Sequence, residues 1–101
     1  MLEVCYMGEI YLITCQVNNK KYVGQVTKTK NRNYLKRWKE HLDEAKYNPD
    51  FGSIILNRAI NKYGSQNFKT EVLEECSIDR LDELETSYIK NLNTLNQMDT
   101  T

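Results

Sequence analysis

The stretch GEIYLITCQVNNKKYVGQ, residues 8–25, decides the fold. It holds two apolar runs, EIYLIT and KYVGQV, separated by Val17-Asn18-Asn19-Lys20, and asparagines tolerate the backbone of a tight turn. Both runs are rich in β-branched and aromatic residues, so they read as antiparallel neighbouring strands over 9–14 and 21–26. One tyrosine sits in each, Tyr11 and Tyr22. Side chains alternate between faces along a strand, so the hairpin register decides whether the two phenols share a face. They either pack the core, the usual fate of strand tyrosines, or present two hydroxyls to one place.

Outward from the hairpin, TKTKNRN at 27–33 is a polar, basic loop. Leu35, Trp38, Leu42 and Ala45 then recur at three- and four-residue steps and predict an amphipathic helix that ends before Pro49 and Gly52. A second helix over 53–63 places Leu56, Ala59, Ile60 and Tyr63 on one face, with Gly64 as its stop. FKTEVLE at 68–74 reads as a third strand. The last helix, over 79–92, carries Leu81, Leu84, Tyr88 and Leu92 on its buried stripe, with Ser77 or Asp79 able to cap its start. The order ββααβα implies an α+β fold: a small three-stranded, mostly antiparallel sheet whose apolar face is covered by helices.

A length of 101 residues suffices for one compact domain and not for two. The expected core is about 8–96, with the polar tail 93–101 prone to fray or to continue into further sequence. No apolar run approaches the ~18 residues that span a bilayer, and MLEVCYMGE lacks the basic start and apolar core of a signal peptide. The expected location is therefore intracellular, in cytoplasm or with the nucleoid or nucleus, with no membrane partner. Cys5, Cys15 and Cys76 are odd in number and widely spaced, which fits reduced, buried thiols better than a disulfide frame or a zinc site.

The formal net charge is zero, which by itself argues against a nucleic-acid partner. Its distribution argues the other way. Between Lys20 and Lys46 stand nine Lys/Arg against three acids, and between Thr70 and Lys90 two against seven. The chain is thus dipolar, with a basic region able to accept a phosphate backbone or simply to face solvent.

Three further residues stand out. Arg37 and His41 are four apart on the first helix, one turn above each other, so both can touch one small anion. Glu85 borders the buried stripe of the last helix, where a carboxylate either lies at a core margin or holds a hard cation such as Mg²⁺ with help from waters and a phosphate.

Glu9-Ile10-Tyr11, then Tyr22-Val23-Gly24 ten residues on, Leu35-Lys36-Arg37-Trp38-Lys39-Glu40-His41 and Glu85-Thr86-Ser87-Tyr88-Ile89 together resemble the GIY-YIG nuclease domain. Asn57-Arg58-Ala59-Ile60-Asn61-Lys62-Tyr63-Gly64 and Asn67-Phe68 look like the segment found in its phage and intron-encoded homing endonucleases. The resemblance covers about residues 8–96 and implies a DNA endonuclease using one Mg²⁺ or Mn²⁺ on double-stranded DNA. By the same resemblance Tyr11 is the general base, Tyr22 holds a water or the phosphate, and Arg37 neutralises charge on the phosphoryl oxygens. His41 bonds Tyr11 or passes its proton, and Glu85 binds the metal. Lys36 is a further candidate, and Asn93 or Asn96 stands for an asparagine that the family places in a Gly-Tyr-Asn triplet.

Glu9 replaces the family's first glycine and is expected to project away from the site. A tyrosine base at neutral pH also demands a lowered pKa, with Arg37 and the metal as the available causes. A restriction or repair nuclease of the same superfamily and a noncatalytic nucleic-acid-binding domain of the same fold are the alternatives.

Overall fold

A computed structural model describes residues 7–92. The elements run β1 (Met7–Cys15), β2 (Lys21–Thr27), α1 (Tyr34–Tyr47), α2 (Ile54–Tyr63), β3 (Phe68–Ser77) and α3 (Leu81–Leu92), with one-turn 3-10 helices at Ser65–Asn67 and Ile78–Arg80. The expected order ββααβα is found. The three strands form one sheet in the order β2-β1-β3, and both pairings are antiparallel.

β1 is the central strand, and it is buried on both faces. Its odd residues Tyr11 and Ile13 pack with Val26, Ala45, Leu56 and Ile60 beneath α1 and α2. The even ones, Ile10 and Leu12, pack with Val23, Cys76 and Leu81, flanked by Leu84, Tyr88, Ile89 and Leu92 of α3. The sheet therefore has two apolar faces and lies between two helical layers, where the sequence suggested a single covered face. A strand buried on both sides shows weak alternation, so the second core is hard to read from β1 alone.

β3 runs three residues beyond its expected end, because Cys76 and Ser77 still pair with Gly8 and Met7. The register slips between Ile10 and Tyr11, which leaves Leu73 as a bulge residue in β3. The turn after β1 is made possible by Asn19 at φ 59°, a left-handed value that asparagine tolerates. Gly64, at φ 86°, ends α2 as expected, its N–H bonded to Ile60 O.

The starts of α1 and α3 are built differently. Asn33 caps α1, its side chain accepting from the amides of Leu35 and Lys36. Before α3 the 3-10 turn at Ile78–Arg80 leads straight into the helix; Ser77 holds the N-cap position of that turn without a side-chain cap bond, and Asp79 lies in its first turn. Leu35, expected on the buried stripe, is 54% exposed, while Tyr34 packs against the core in its place. The inward seam of α1 follows 34, 38, 41 and 45, so it includes the polar residue His41.

Cys15 and Cys76 are free and buried, as expected of reduced thiols, and Cys5 lies outside the described residues. Asn93, Asn96 and the rest of the tail also lie outside them. No helix among the described residues is long and apolar enough to cross a membrane.

Candidate active site

The site begins with the hairpin register. Tyr11 pairs with Gly24, and Tyr22 pairs with Ile13, so the two tyrosines occupy diagonal positions on the face that α1 covers. The Tyr11 ring lies directly over Gly24. A Cβ added there would sit 2.3 Å from both Cζ and the hydroxyl oxygen, so only glycine leaves room for the ring. Gly24→Ala is expected to cost about 1–3 kcal/mol by overpacking and to break the Tyr11 contact with α1. Urea denaturation, with the tyrosine ring resonances followed by NMR, checks this; unchanged stability and ring shifts would contradict it.

α1 supplies the next two groups. His41 is fully buried at 0% exposure, and its Nε2 lies 2.9 Å from the Tyr11 hydroxyl. Its ring is edge-on to both phenols, with centroids 6.1 Å from Tyr11 and 5.7 Å from Tyr22. Tyr22 in turn places its hydroxyl 2.9 Å from Ser53 Oγ at the start of α2. The amide of Ser53 donates to Glu44 Oε1 at 3.0 Å, and the buried Asn57 donates to the same oxygen, also at 3.0 Å. Sequence shows Ser53 only as the start of the second helix and Asn57 only within the quoted Asn57–Gly64 motif, with no contact assigned to either, yet they anchor the loop that meets Tyr22.

Burial lowers the His41 pKa to about 4, assisted by the nearby Arg37 charge. The imidazole is therefore neutral at pH 7. Unfolding restores a value near 6.5, so the unfolded chain binds this proton more readily. The stability that neutral His41 contributes is complete above about pH 6.5, falls as pH drops from there to about 4, and then falls no further from this group. The full loss is about 3 kcal/mol. Urea titrations from pH 7 to 4 should show that slope in the intact chain and a flatter one in His41→Gln; equal slopes would contradict it.

Tyr11 behaves against expectation. Burial pushes its pKa well above the usual phenol range; Arg37 pulls it down, while Tyr22, Glu85 and Glu40 push it further up. Arg37 alone does not overcome desolvation, so the phenol stays protonated in the free protein. Contacts join Tyr11, His41 and Tyr22 directly, while Arg37 and Glu85 reach Tyr11 only through their charges.

Glu85 arrives from the opposite layer, on α3, and meets the sheet at its β2 edge. Gln25 Nε2 donates to Glu85 Oε1 at 3.0 Å and to Asp82 Oδ1 at 2.7 Å. Burial raises the Glu85 pKa and Asp82 raises it further, with the Gln25 hydrogen bond opposing both. A half-buried carboxylate held against its own desolvation, with a second carboxylate one turn earlier, suits a hard divalent cation. No group of three or more His, Cys, Asp or Glu converges for a metal among the described residues. A cation here would take Glu85, with Asp82 near, and complete its shell with waters and substrate phosphate. Neither Asp82 nor Gln25 was legible as a partner, because nothing in the sequence pairs β2 with that turn of α3.

Arg37 lies on α1 with its side chain 27% exposed and donates to Glu40 Oε1 at 3.2 Å. Lys36 beside it is exposed. Glu9 does not project away. It is 6% exposed on the same sheet face as Tyr11, where Oε1 accepts from the Tyr34 amide at 3.0 Å and Oε2 lies 3.9 Å from Lys28. A carboxylate at a helix N-terminus is favoured by the helix dipole, which helps hold Glu9 in this place.

Over residues 4–101 the chain matches the family described as "Putative endonuclease segE, GIY-YIG domain". Among solved structures it is similar to the catalytic domain of intron endonuclease I-TevI carrying a glutamate-to-alanine substitution, with a TM-score of 0.73 and 34% identity over 88% of this chain and 87% of that one. A second structure, the catalytic domain of homing endonuclease I-TevI, gives a TM-score of 0.70 and 35% identity over 85% of this chain and 88% of that one. No curated protein sequence matches.

Proposed function

The chain belongs to the GIY-YIG endonuclease family, and from that premise we propose that it hydrolyses phosphodiester bonds of double-stranded DNA with one Mg²⁺ or Mn²⁺, as a homing-endonuclease-like catalytic domain. The observation that carries this reading is the hydrogen bond of Tyr11 to His41 with Tyr22 edge-on to the same imidazole; the charges of Arg37 on α1 and Glu85 on α3 act on the Tyr11 phenol. In this reading the three ring groups, the guanidinium and the carboxylate serve water attack on one phosphate.

Tyr11 works here as a relay. In the tautomer that carries its proton on Nδ1, His41 accepts the phenol proton at Nε2 while the phenol oxygen takes one from the attacking water. The existing 2.9 Å hydrogen bond is that path, and a neutral His41 is the form that can receive the proton. Tyr22, fixed by Ser53, orients the water or a phosphoryl oxygen. Arg37 offers the planar fork that matches the growing charge on the phosphoryl oxygens. Glu85 would hold a divalent cation, which would supply Lewis-acid polarisation of the phosphate and charge stabilisation for the leaving 3′ oxygen. Glu9 adds little repulsion, since its carboxylate is engaged by the α1 N-terminus and lies near Lys28.

End-labelled duplex and single-stranded oligonucleotides, incubated with the chain and Mg²⁺, test the proposal. The expected products come from the duplex and carry 5′-phosphate and 3′-hydroxyl ends that a ligase rejoins. Salt-sensitive duplex binding with no cleavage would favour the noncatalytic alternative, and preference for branched or damaged duplexes would favour the repair branch.

A further inference from the structure

Beside the tyrosines lies an ion chain of which the mechanism uses only Arg37. Glu40, on α1, forms a two-pronged pair with Arg32: Oε2 meets Nη1, and Oε1 accepts from Nη2 at 2.8 Å. The same Oε1 accepts from Arg37 Nη1 at 3.2 Å. One carboxylate thus joins an arginine of the basic loop to the arginine of the active site. Arg32 is not loosely placed. The loop closes on itself through Thr29 N to Arg32 O at 2.9 Å and Arg32 N to Thr29 O at 3.3 Å.

We propose that Arg32 is a second phosphate-binding arginine, contacting the DNA strand next to the scissile phosphate, and that Glu40 is a positioning residue holding Arg32 and Arg37 as one preorganised pair. The ligand is taken from the nuclease reading above, so the inference rests on it.

The side chains of Arg32, Arg37 and Glu40 are 39%, 27% and 33% exposed, so a solvent-borne phosphate can reach them. A half-exposed ion pair contributes only modestly to stability even when it is two-pronged, so a phosphate contact is open to it besides holding the loop. Two guanidinium groups near each other repel, and the carboxylate between them removes that repulsion before DNA arrives, while the rest of each fork stays available. Glu40 is held ionised by Arg32 and Arg37, and the Arg32 guanidinium is close enough to feel a charge on Tyr11. Lys28, the neighbouring loop cation, is instead committed to Glu75 at 2.7 Å.

Duplex binding in EDTA across a salt series, read by fluorescence anisotropy with the whole chain, is the test. Arg32→Ala should weaken binding about five- to tenfold near 0.1 M salt and reduce the slope of log K against log salt by about 0.9, the signature of one lost phosphate contact. Arg32→Lys should recover most of the slope. In the Glu40→Ala background, Arg32→Ala should cost less than half as much on a logarithmic scale, because the pair is already released. With Mg²⁺ present, Arg32→Ala should raise KM while changing kcat less than about threefold, and Glu40→Ala should lower kcat about tenfold. Thermal melts should barely move in any of them. An unchanged salt slope in Arg32→Ala overturns the phosphate contact, and additive effects in the double variant overturn the positioning by Glu40. A chain that binds duplex and never cuts instead overturns the nuclease reading, while slope and coupling still decide the fate of the arginine pair.

Discussion

Glu85→Ala is expected to reduce cleavage by about a thousandfold or more while leaving the fold as stable as the parent, or slightly more so. Loss of a metal's charge stabilisation at a phosphoryl centre amounts to several kcal/mol, and every 1.4 kcal/mol is about tenfold in rate. The stability half follows from the sign of the pKa shift. Burial raises the Glu85 pKa above its unfolded value, so ionising this carboxylate favours the unfolded chain as pH rises through that window. Near neutral pH the residue therefore opposes folding, and its removal relieves that. Such a group at a core margin is retained for what it binds, in keeping with the usual conflict between stability and activity. Cleavage rates and urea midpoints measured side by side check both halves. Full activity of Glu85→Ala in Mg²⁺ would remove Glu85 from the metal assignment, and a collapsed fold would remove the stability argument.

Tyr11→Phe carries the second large effect, a loss of about 10²–10⁴ in rate, the range that general acid–base groups supply. The phenylalanine ring fits over Gly24 as the tyrosine does, so the core keeps its shape. Only the hydroxyl goes, and with it the proton path to His41 Nε2. A buried nitrogen left without its partner costs about 1–3 kcal/mol, so a modest drop in stability should accompany the loss of rate. Duplex binding in EDTA should stay within about threefold of the parent, since the phenol is neutral. A variant that binds equally and cuts equally would show that water is activated elsewhere.

The sequence revealed the frame of this site better than its interior. Tyr11 and Tyr22 could be placed on one hairpin, and their shared face follows from a register of even parity, Tyr11 on Gly24 and Tyr22 on Ile13. Arg37 and His41 were visible through a four-residue spacing that any helix turns into neighbours. The burial of His41 was not visible. Apolar periodicity counts a histidine as polar, so it runs the seam through Leu35, which faces solvent, and past His41, which is fully enclosed. The same blindness hid Asn57, buried because it donates to Glu44 and to carbonyls of the loop between α1 and α2.

Contacts between distant polar residues were the least legible. Gln25 meets Asp82 and Glu85 across about sixty residues of chain, and Glu9 meets the amide of Tyr34 only because the sheet delivers it there. Arg32 and Glu40 are eight residues apart, yet their pairing needs the closed turn at Thr29 and a helix capped by Asn33. Spacing fixes neighbours within one element; tertiary placement decides which charges neutralise each other. The raised Tyr11 pKa belongs to the same class, because desolvation depends on how completely α1 covers the phenol.

Nicking of supercoiled plasmid by the intact chain, in Mg²⁺, Mn²⁺ or EDTA across a range of pH and beside Tyr11→Phe and Glu85→Ala, tests the central claim most directly. Nicking that needs the metal and is lost in both variants is the expected result, and it would tie the phenol and the carboxylate to one centre. Nicking that survives EDTA, or that persists at the parental rate in either variant, would contradict the claim that water attack at this site runs through Tyr11 and a cation at Glu85.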